Sequence, residues 1–197
     1  MTPADYASMS RSVKTAQGEA GYGLGLFVDA IDDQPRVGHT GGSLGFTTAS
    51  EYFPRQDVQV IAFTNFAATP EPGETITTAI FEDLDPAVAA AARRPSPGED
   101  PALTARTKAC FAQLQSGEQD SPYLAARLNE KMKAGLAKRL AREFEGYGRP
   151  TAFVFKGTHG NAGVAFYEYV IRFGPGSMLK FGVALDETGK IKSLSLG

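Results

Sequence analysis

The sequence is poor in the residues from which disulfides, metal sites and membrane spans are built. It has one cysteine, Cys110, in 197 residues, which excludes an internal disulfide and a cysteine-rich zinc site. Its two histidines, His39 and His159, have no neighbouring cysteines, so no metal centre is expected, and no motif calls for a cofactor. No apolar run approaches the roughly 20 residues that span a bilayer, so membrane insertion is not expected. The opening stretch from Met1 to Lys14 lacks the apolar segment of an export signal, and the compartment stays open. An excess of one charge is missing as well. The 20 Lys+Arg against 22 Asp+Glu argue against nucleic acid as a partner, because phosphate binding needs a basic surplus. What the chain does have is 42% hydrophobic residues, enough for a packed core. Its length suits one full domain or two small ones, at about 150 residues per domain.

Charge divides the chain. Residues 1–84 carry 4 basic and 11 acidic side chains, and residues 85–197 carry 16 basic and 11 acidic. The change falls in residues 85–101, where alanines, four prolines and few large apolar groups predict a linker. The fold class expected is α+β: antiparallel strands with a helix over residues 1–84, then a small helix-plus-antiparallel-sheet domain over 102–197.

In the first part, Thr2-Pro3-Ala4-Asp5 predicts a short capped helix. Strands are predicted at Tyr22–Ala30, Thr47–Phe53 and Val58–Thr64, the last two joined in a hairpin by Pro54–Asp57. The nearly continuous apolar run from Val58 reads as a central strand covered on both faces. Glu74–Leu84 reads as a helix with Ile76, Ile80 and Leu84 in one buried stripe. In the second part, Leu103–Gln115 is helical, with Leu103, Thr107, Phe111 and Leu114 on one face. A longer helix is expected from Ser121-Pro122, carrying Leu124, Leu128, Met132, Leu136, Leu140 and Phe144, with Gly135 as a break. Four strands follow, at Thr151–Lys156, Val164–Phe173, Met178–Leu185 and Lys190–Leu196, joined by turns at 160–163, 174–176 and 186–189.

The stretch richest in chemistry is Arg36-Val-Gly-His39-Thr40-Gly41-Gly42-Ser-Leu-Gly45-Phe46. Closely spaced glycines let backbone approach a ligand where a side chain would clash. A hydroxyl and an imidazole beside them offer a donor, an acceptor and a proton carrier. By spacing alone, a glycine-rich turn with His39 as an ordinary surface or core residue is the better account of the stretch.

The wider order narrows the reading. Tyr22-Gly23-Leu24-Gly25-Leu26, then His39-Thr40-Gly41-Gly42, Gly45-Phe46, a Tyr-Phe-Pro turn and Val60-Ile-Ala-Phe-Thr64-Asn65 resembles the end of the serine β-lactamase and penicillin-binding-protein-like hydrolases, nearest to class C and esterase-like members. The resemblance covers residues 1–84. It implies that His39-Thr40-Gly41 stands at the family's third motif, usually Lys-Thr-Gly, on the strand bordering the cleft. Thr40 would then hold substrate, Gly42 N–H would be an oxyanion donor, and His39 would occupy the place of the Lys ammonium. Tyr22, Arg36 and Gly41 join them as substrate-binding candidates. Imidazole, with an ordinary pKa of about 6.5, is a poorer fixed cation than Lys, which points to an ester or amide substrate rather than a penicillin carboxylate. Arg36 is the alternative source of that charge.

The family also needs a Ser-x-x-Lys nucleophile and a second motif such as Tyr-x-Asn. The first occurs once, as Ser177-Met-Leu-Lys180, in a strand-like segment where residues i and i+3 face opposite ways. The second does not occur. The expectation is therefore the C-terminal portion of a larger acyl hydrolase, acting on a small-molecule or peptide acyl substrate and inert alone. The missing strands would leave a sheet edge open to homo-oligomer formation. The alternative is a non-catalytic binding or dimerisation module.

The second domain resembles the nuclear-transport-factor-like cone in element order. On its strand Phe166–Phe173, Tyr167 and Tyr169 share one face and Glu168 and Arg172 the other, as an aromatic pocket or as plain sheet packing with solvated or paired charges. His159 is expected in an exposed loop, Cys110 as a small buried group, and the basic run from Arg127 to Arg142 as a solvated helix face.

Overall fold

The computed structural model describes residues 2–15, 18–19, 21–67, 70–161 and 164–196. The chain is α+β and divides into two compact units, Met1–Ala92 and Arg93–Gly197, each with a four-stranded antiparallel sheet.

The first unit opens with α1 (Pro3–Met9), closed at its start as the sequence predicts. The Thr2 hydroxyl accepts from Asp5 N–H at 3.2 Å, and the Asp5 carboxylate accepts from Thr2 N–H at 2.7 Å. After a two-residue pair, β1 (Lys14–Thr15) with β2 (Gly18–Glu19), comes the main sheet. It runs β3 (Phe27–Ile31), β4 (Gln34–Ser43), β5 (Phe46–Phe53) and β6 (Val58–Thr64), in chain order. Asp32 and Asp33, both at positive φ, make the two-residue turn from β3 to β4. Leu44 (φ 44°) and Gly45 (φ 88°) make the next one. Helix α2 (Pro72–Leu84) crosses β5 and β6, and α3 (Pro86–Ala92) packs against α2.

Three expectations fail here for identifiable reasons. β6 is an edge strand among the described residues and is covered on one face only: Val60 and Ala62 are buried, while Ile61 and Phe63 are 53% and 80% exposed. Helix α2 turns Thr77, Thr78, Phe81 and Glu82 inward and leaves Ile76, Ile80 and Leu84 exposed. The inward choice follows from Phe81 stacking on Phe53 at 3.6 Å between ring centroids and from Thr77 donating to the buried Glu51. The alanine-rich part of the expected linker is α3, whose Val88 packs on the Phe53–Val60–Phe81 cluster, so burial of small side chains orders it.

The second unit begins with α4 (Pro101–Ser116), capped by Asp100, whose carboxylate accepts from Ala102 and Leu103 N–H. Its buried face is Leu103, Thr107, Cys110, Phe111 and Leu114. The next helix starts at Ala126, later than Ser121-Pro122 suggests. Residues around Leu124 are drawn into extended pairing with Ile191: Ala125 N–H donates to Ile191 C=O, and Ile191 N–H to Tyr123 C=O, both at 2.9 Å. From there α5 (Ala126–Lys131), a π-helical segment (Met132–Leu136) and α6 (Ala137–Phe144) form one broken helix, with Gly135 at φ 117° as the break. The meander β7 (Ala152–Asn161), β8 (Val164–Gly174), β9 (Ser177–Leu185) and β10 (Ile191–Leu196) matches the four predicted strands in number and order. Ala162 and Gly163 of the 160–163 turn lie outside the described residues.

Phe111, Leu128, Leu140, Phe144, Ile171 and Phe181 lead the core between the helices and this sheet. Tyr169 joins it and Tyr167 packs at its margin, as sheet packing rather than a pocket. Arg172 is 1% exposed, so the solvated reading of it fails. Ser177 and Lys180 lie on β9, a strand, as their surroundings imply. His159 is on β7 rather than in a loop, half exposed, stacked on Phe166 and 3.5 Å from Glu168. Among the described residues, no helix is long and apolar enough to cross a membrane.

Candidate functional site

From Arg36 to Ser43 the glycine-rich stretch is strand β4, and only Leu44 and Gly45 make a turn. His39 pairs with Ser50, Thr40 with Ala49, Gly41 with Thr48, and Gly42 with Thr47. Strand alternation then separates the two side chains the sequence sets side by side. Thr40 shares a face with the buried Ala49, under α2, and His39 lies on the open face with Ser50. Thr40 meets His39 through its backbone: its carbonyl takes a hydrogen bond from His39 Nδ1.

That contact fixes the ring. A carbonyl oxygen only accepts, so Nδ1 carries a proton, and in the neutral imidazole Nε2 is the lone-pair nitrogen. The Tyr22 hydroxyl lies 2.8 Å from Nε2 and donates to it. Tyr22 also meets His39 edge-on at 5.8 Å between centroids, and Phe27 stacks on it at 5.0 Å and 20°. The imidazole is thus held on two sides by aromatic rings and at both nitrogens by hydrogen bonds.

Tyr22 owes its place to the glycines that follow it. A Cβ at Gly23 would sit 2.1 Å from the Met9 carbonyl oxygen, so only glycine lets the end of α1 approach. Leu24 N–H then donates to Met9 C=O, and Val13 N–H to Tyr22 C=O. The segment makes only an isolated bridge, Tyr22 to Phe27, and regular strand begins at Phe27 instead of Tyr22.

β3 pairs with β4 only as far as Gly38. From His39 to Ser43, no described strand pairs with β4 on the side away from β5. Gly41, Gly42 and Ser43 are exposed, and so are Leu44 (98%) and Phe46 (58%) at the hairpin tip. Gly42 is required neither by φ nor by crowding, since the nearest atom to a Cβ there is 3.5 Å away. Its bareness leaves the Gly42 backbone uncovered beside an apolar rim.

Arg36 is turned away from this edge and is fully committed. Its Nε and Nη2 bind the Asp29 carboxylate at 2.8 and 2.7 Å, and Nη1 binds Glu51 at 2.6 Å and Glu74 at 2.5 Å. Burial opposes the guanidinium charge, but the Asp29, Glu51 and Glu74 contacts outweigh it and raise the Arg36 pKa. Burial also holds the Glu51 carboxyl above its ordinary range, with Arg36 the main opposing influence. The cluster ties β3, β4 and β5 to α2.

Of the sequence candidates, the structure therefore brings Tyr22 and His39 into contact and leaves Gly41 and Gly42 open beside them. It sets Thr40 behind the strand and Arg36 inside the unit. Sequence reading missed Phe27, and missed Asp29, Glu51, Glu74 and Thr77 as partners. Phe27 had a signal, the aromatic pair flanking Gly23–Leu26; the cross-strand acids had none, because register is invisible before pairing. Among the described residues, no cluster of three or more His, Cys, Asp or Glu is arranged to hold a metal ion. Compared with protein-family models, with curated proteins and with solved structures, the chain matches none.

Proposed function

We propose that the first unit is one wall of the cleft of a β-lactamase-related serine hydrolase, working by acyl-enzyme hydrolysis of esters or amides. The observation that carries the reading is the oriented imidazole of His39 at the start of an unpaired, glycine-bare strand edge. On this reading, an acyl substrate lies along the edge from His39 to Ser43, its apolar part against Leu44 and Phe46. Gly42 N–H donates to the oxyanion, and Tyr22 with His39 carries protons near it. Thr40 positions His39 through its carbonyl rather than offering its hydroxyl. Arg36 stabilises the wall and does not meet substrate, which favours a neutral ester or amide over a substrate carboxylate.

The attacking serine belongs to sequence that this chain does not contain. An oxyanion donor is worth about 3–4 kcal/mol, while losing the nucleophile of a serine hydrolase costs about 10⁶ in rate. The chain alone is thus expected to be inert toward nitrocefin and p-nitrophenyl esters. Mixing it with a polypeptide bearing Ser-x-x-Lys and Tyr-x-Asn motifs is expected to restore ester turnover, and His39→Ala to abolish the restored activity. Turnover by the isolated chain, or a fluorophosphonate adduct on one of its own serines, overturns the reading.

A further inference from the structure

The second unit holds an unfilled apolar space that its core does not explain. A cavity of about 300 Å³ opens between the broken helix and the edge strand β10. Its inner walls are Leu114, Leu128, Leu140, Phe144 and Phe181, all buried, and its outer walls are Leu136, Leu194 and Leu196. The size falls at the lower end of the roughly 300–1,000 Å³ range of small-ligand sites. An apolar void forfeits the contacts that a filled core would make, so a pocket of this kind suits an apolar occupant.

Its mouth carries one sign of charge. Lys131, Arg139 and Lys192 line it, and no acidic side chain does. All three are exposed, and among the described residues none of them makes an ion pair, whereas nearby Lys133 pairs with Asp120 at 2.8 Å. Long basic side chains of this kind lay their stems on apolar surface and hold their charges at the rim.

Two backbone irregularities build the mouth. The π-helical segment, with Gly135 at φ 117° and nothing within 4 Å of a Cβ there, separates Leu128 and Lys131 on α5 from Arg139 and Leu140 on α6. Crowding does not require that glycine; the break in the helix does. On the opposite wall, the register of β10 shifts between Ile191 and Ser193, so Lys192 is the extra residue of a bulge, the device by which strands re-aim a side chain.

We propose that this cavity binds a medium-chain aliphatic carboxylate, tail inward among the leucines and phenylalanines and head group held by Lys131, Arg139 and Lys192. The site is independent of the strand edge near His39 and stands whether or not the first unit serves a hydrolase. The probe is decanoate, titrated calorimetrically into the full chain below its micelle concentration, with decanol and decylammonium as comparisons. Saturable one-to-one binding of decanoate is expected, at least tenfold tighter than decylammonium. The double variant Arg139→Glu/Lys192→Glu is expected to weaken decanoate at least tenfold and leave decanol unchanged. Leu136→Trp, which fills the space, is expected to weaken both. The two reversed side chains are exposed, so the charge test does not depend on the tryptophan variant folding. Absence of saturable decanoate binding, equal affinity for decylammonium, indifference to charge reversal, or association only with anionic phospholipid vesicles each overturns the proposal.

Discussion

Replacing Arg36 by Met tests how the first unit is held together. Its guanidinium serves three carboxylates of unequal standing: Asp29 and Glu74 are 31% and 40% exposed and can rehydrate, but Glu51 is 2% exposed and cannot. Removing one partner of a buried ion pair costs about 3–5 kcal/mol, because the remaining charge stays uncompensated. A unit of this size has only about 5–14 kcal/mol in total, and its apolar cluster, Phe53, Val60 and Phe81, is small. At about 4–8 °C per kcal/mol for a domain of 60–100 residues, the melting transition of this unit falls by roughly 12–40 °C. Acidity gives a second signature. Burial raises the Glu51 pKa and Arg36 opposes the rise, so in the variant the folded value moves higher still. A folded-state carboxyl pKa above the unfolded one means that the folded state binds the extra proton, so stability falls as pH rises through that window. The deficit of Arg36→Met is therefore smaller at pH 5 than at pH 8, and Glu51→Leu added to it recovers part of the loss. Urea melts followed by circular dichroism at the two pH values measure both effects. A change below about 1 kcal/mol, or a deficit that grows on acidification, refutes the argument.

Other expectations follow from single features. Burial pushes the Cys110 thiol up to about 12, so a disulfide reagent at pH 8 modifies it on the order of 10³-fold more slowly than a free thiol, until the second unit unfolds. Leu44 stands at φ 44° and 98% exposed, so Leu44→Asn is expected to raise stability by about 0.5–1 kcal/mol in denaturant melts; no gain would contradict strain at that tip. The uncovered Ile61 and Phe63 on the sheet are expected to drive concentration-dependent self-association. Light scattering should show Phe63→Lys shifting that equilibrium toward monomer, and a strict monomer before substitution would count against it.

Periodicity carried much of the fold. The meander of the second unit and the inward face of α4 were legible because alternating and helical patterns there report burial on one side. The same rule misplaced Ile76, Ile80 and Leu84, since α2 is oriented by Phe81 on Phe53 and by Thr77 on Glu51, contacts that belong to the partner strand. Pro122 promised a helix start, but Ile191, some seventy residues on, claims the backbone of Tyr123 and Ala125 first. At the candidate site, Tyr22 and His39 were each legible as candidates, but their contact was not read from the sequence; the divergence of His39 from Thr40 follows from alternation along the strand that the resemblance implied. Arg36 was legible as a charge and illegible as a buried one, because all three of its acids come from other elements.

Both main sheets list their strands in the order of the chain, so each strand pairs with the one before it. Pairing within each main sheet is therefore local in sequence, in contrast to the long-range bridge from Leu124 to Ile191. During synthesis the earlier sheet can zip before the later helices have left the ribosome. A protease cut between residues 92 and 93 is therefore expected to leave two fragments that each regain their sheet, which circular dichroism of the separated fragments checks.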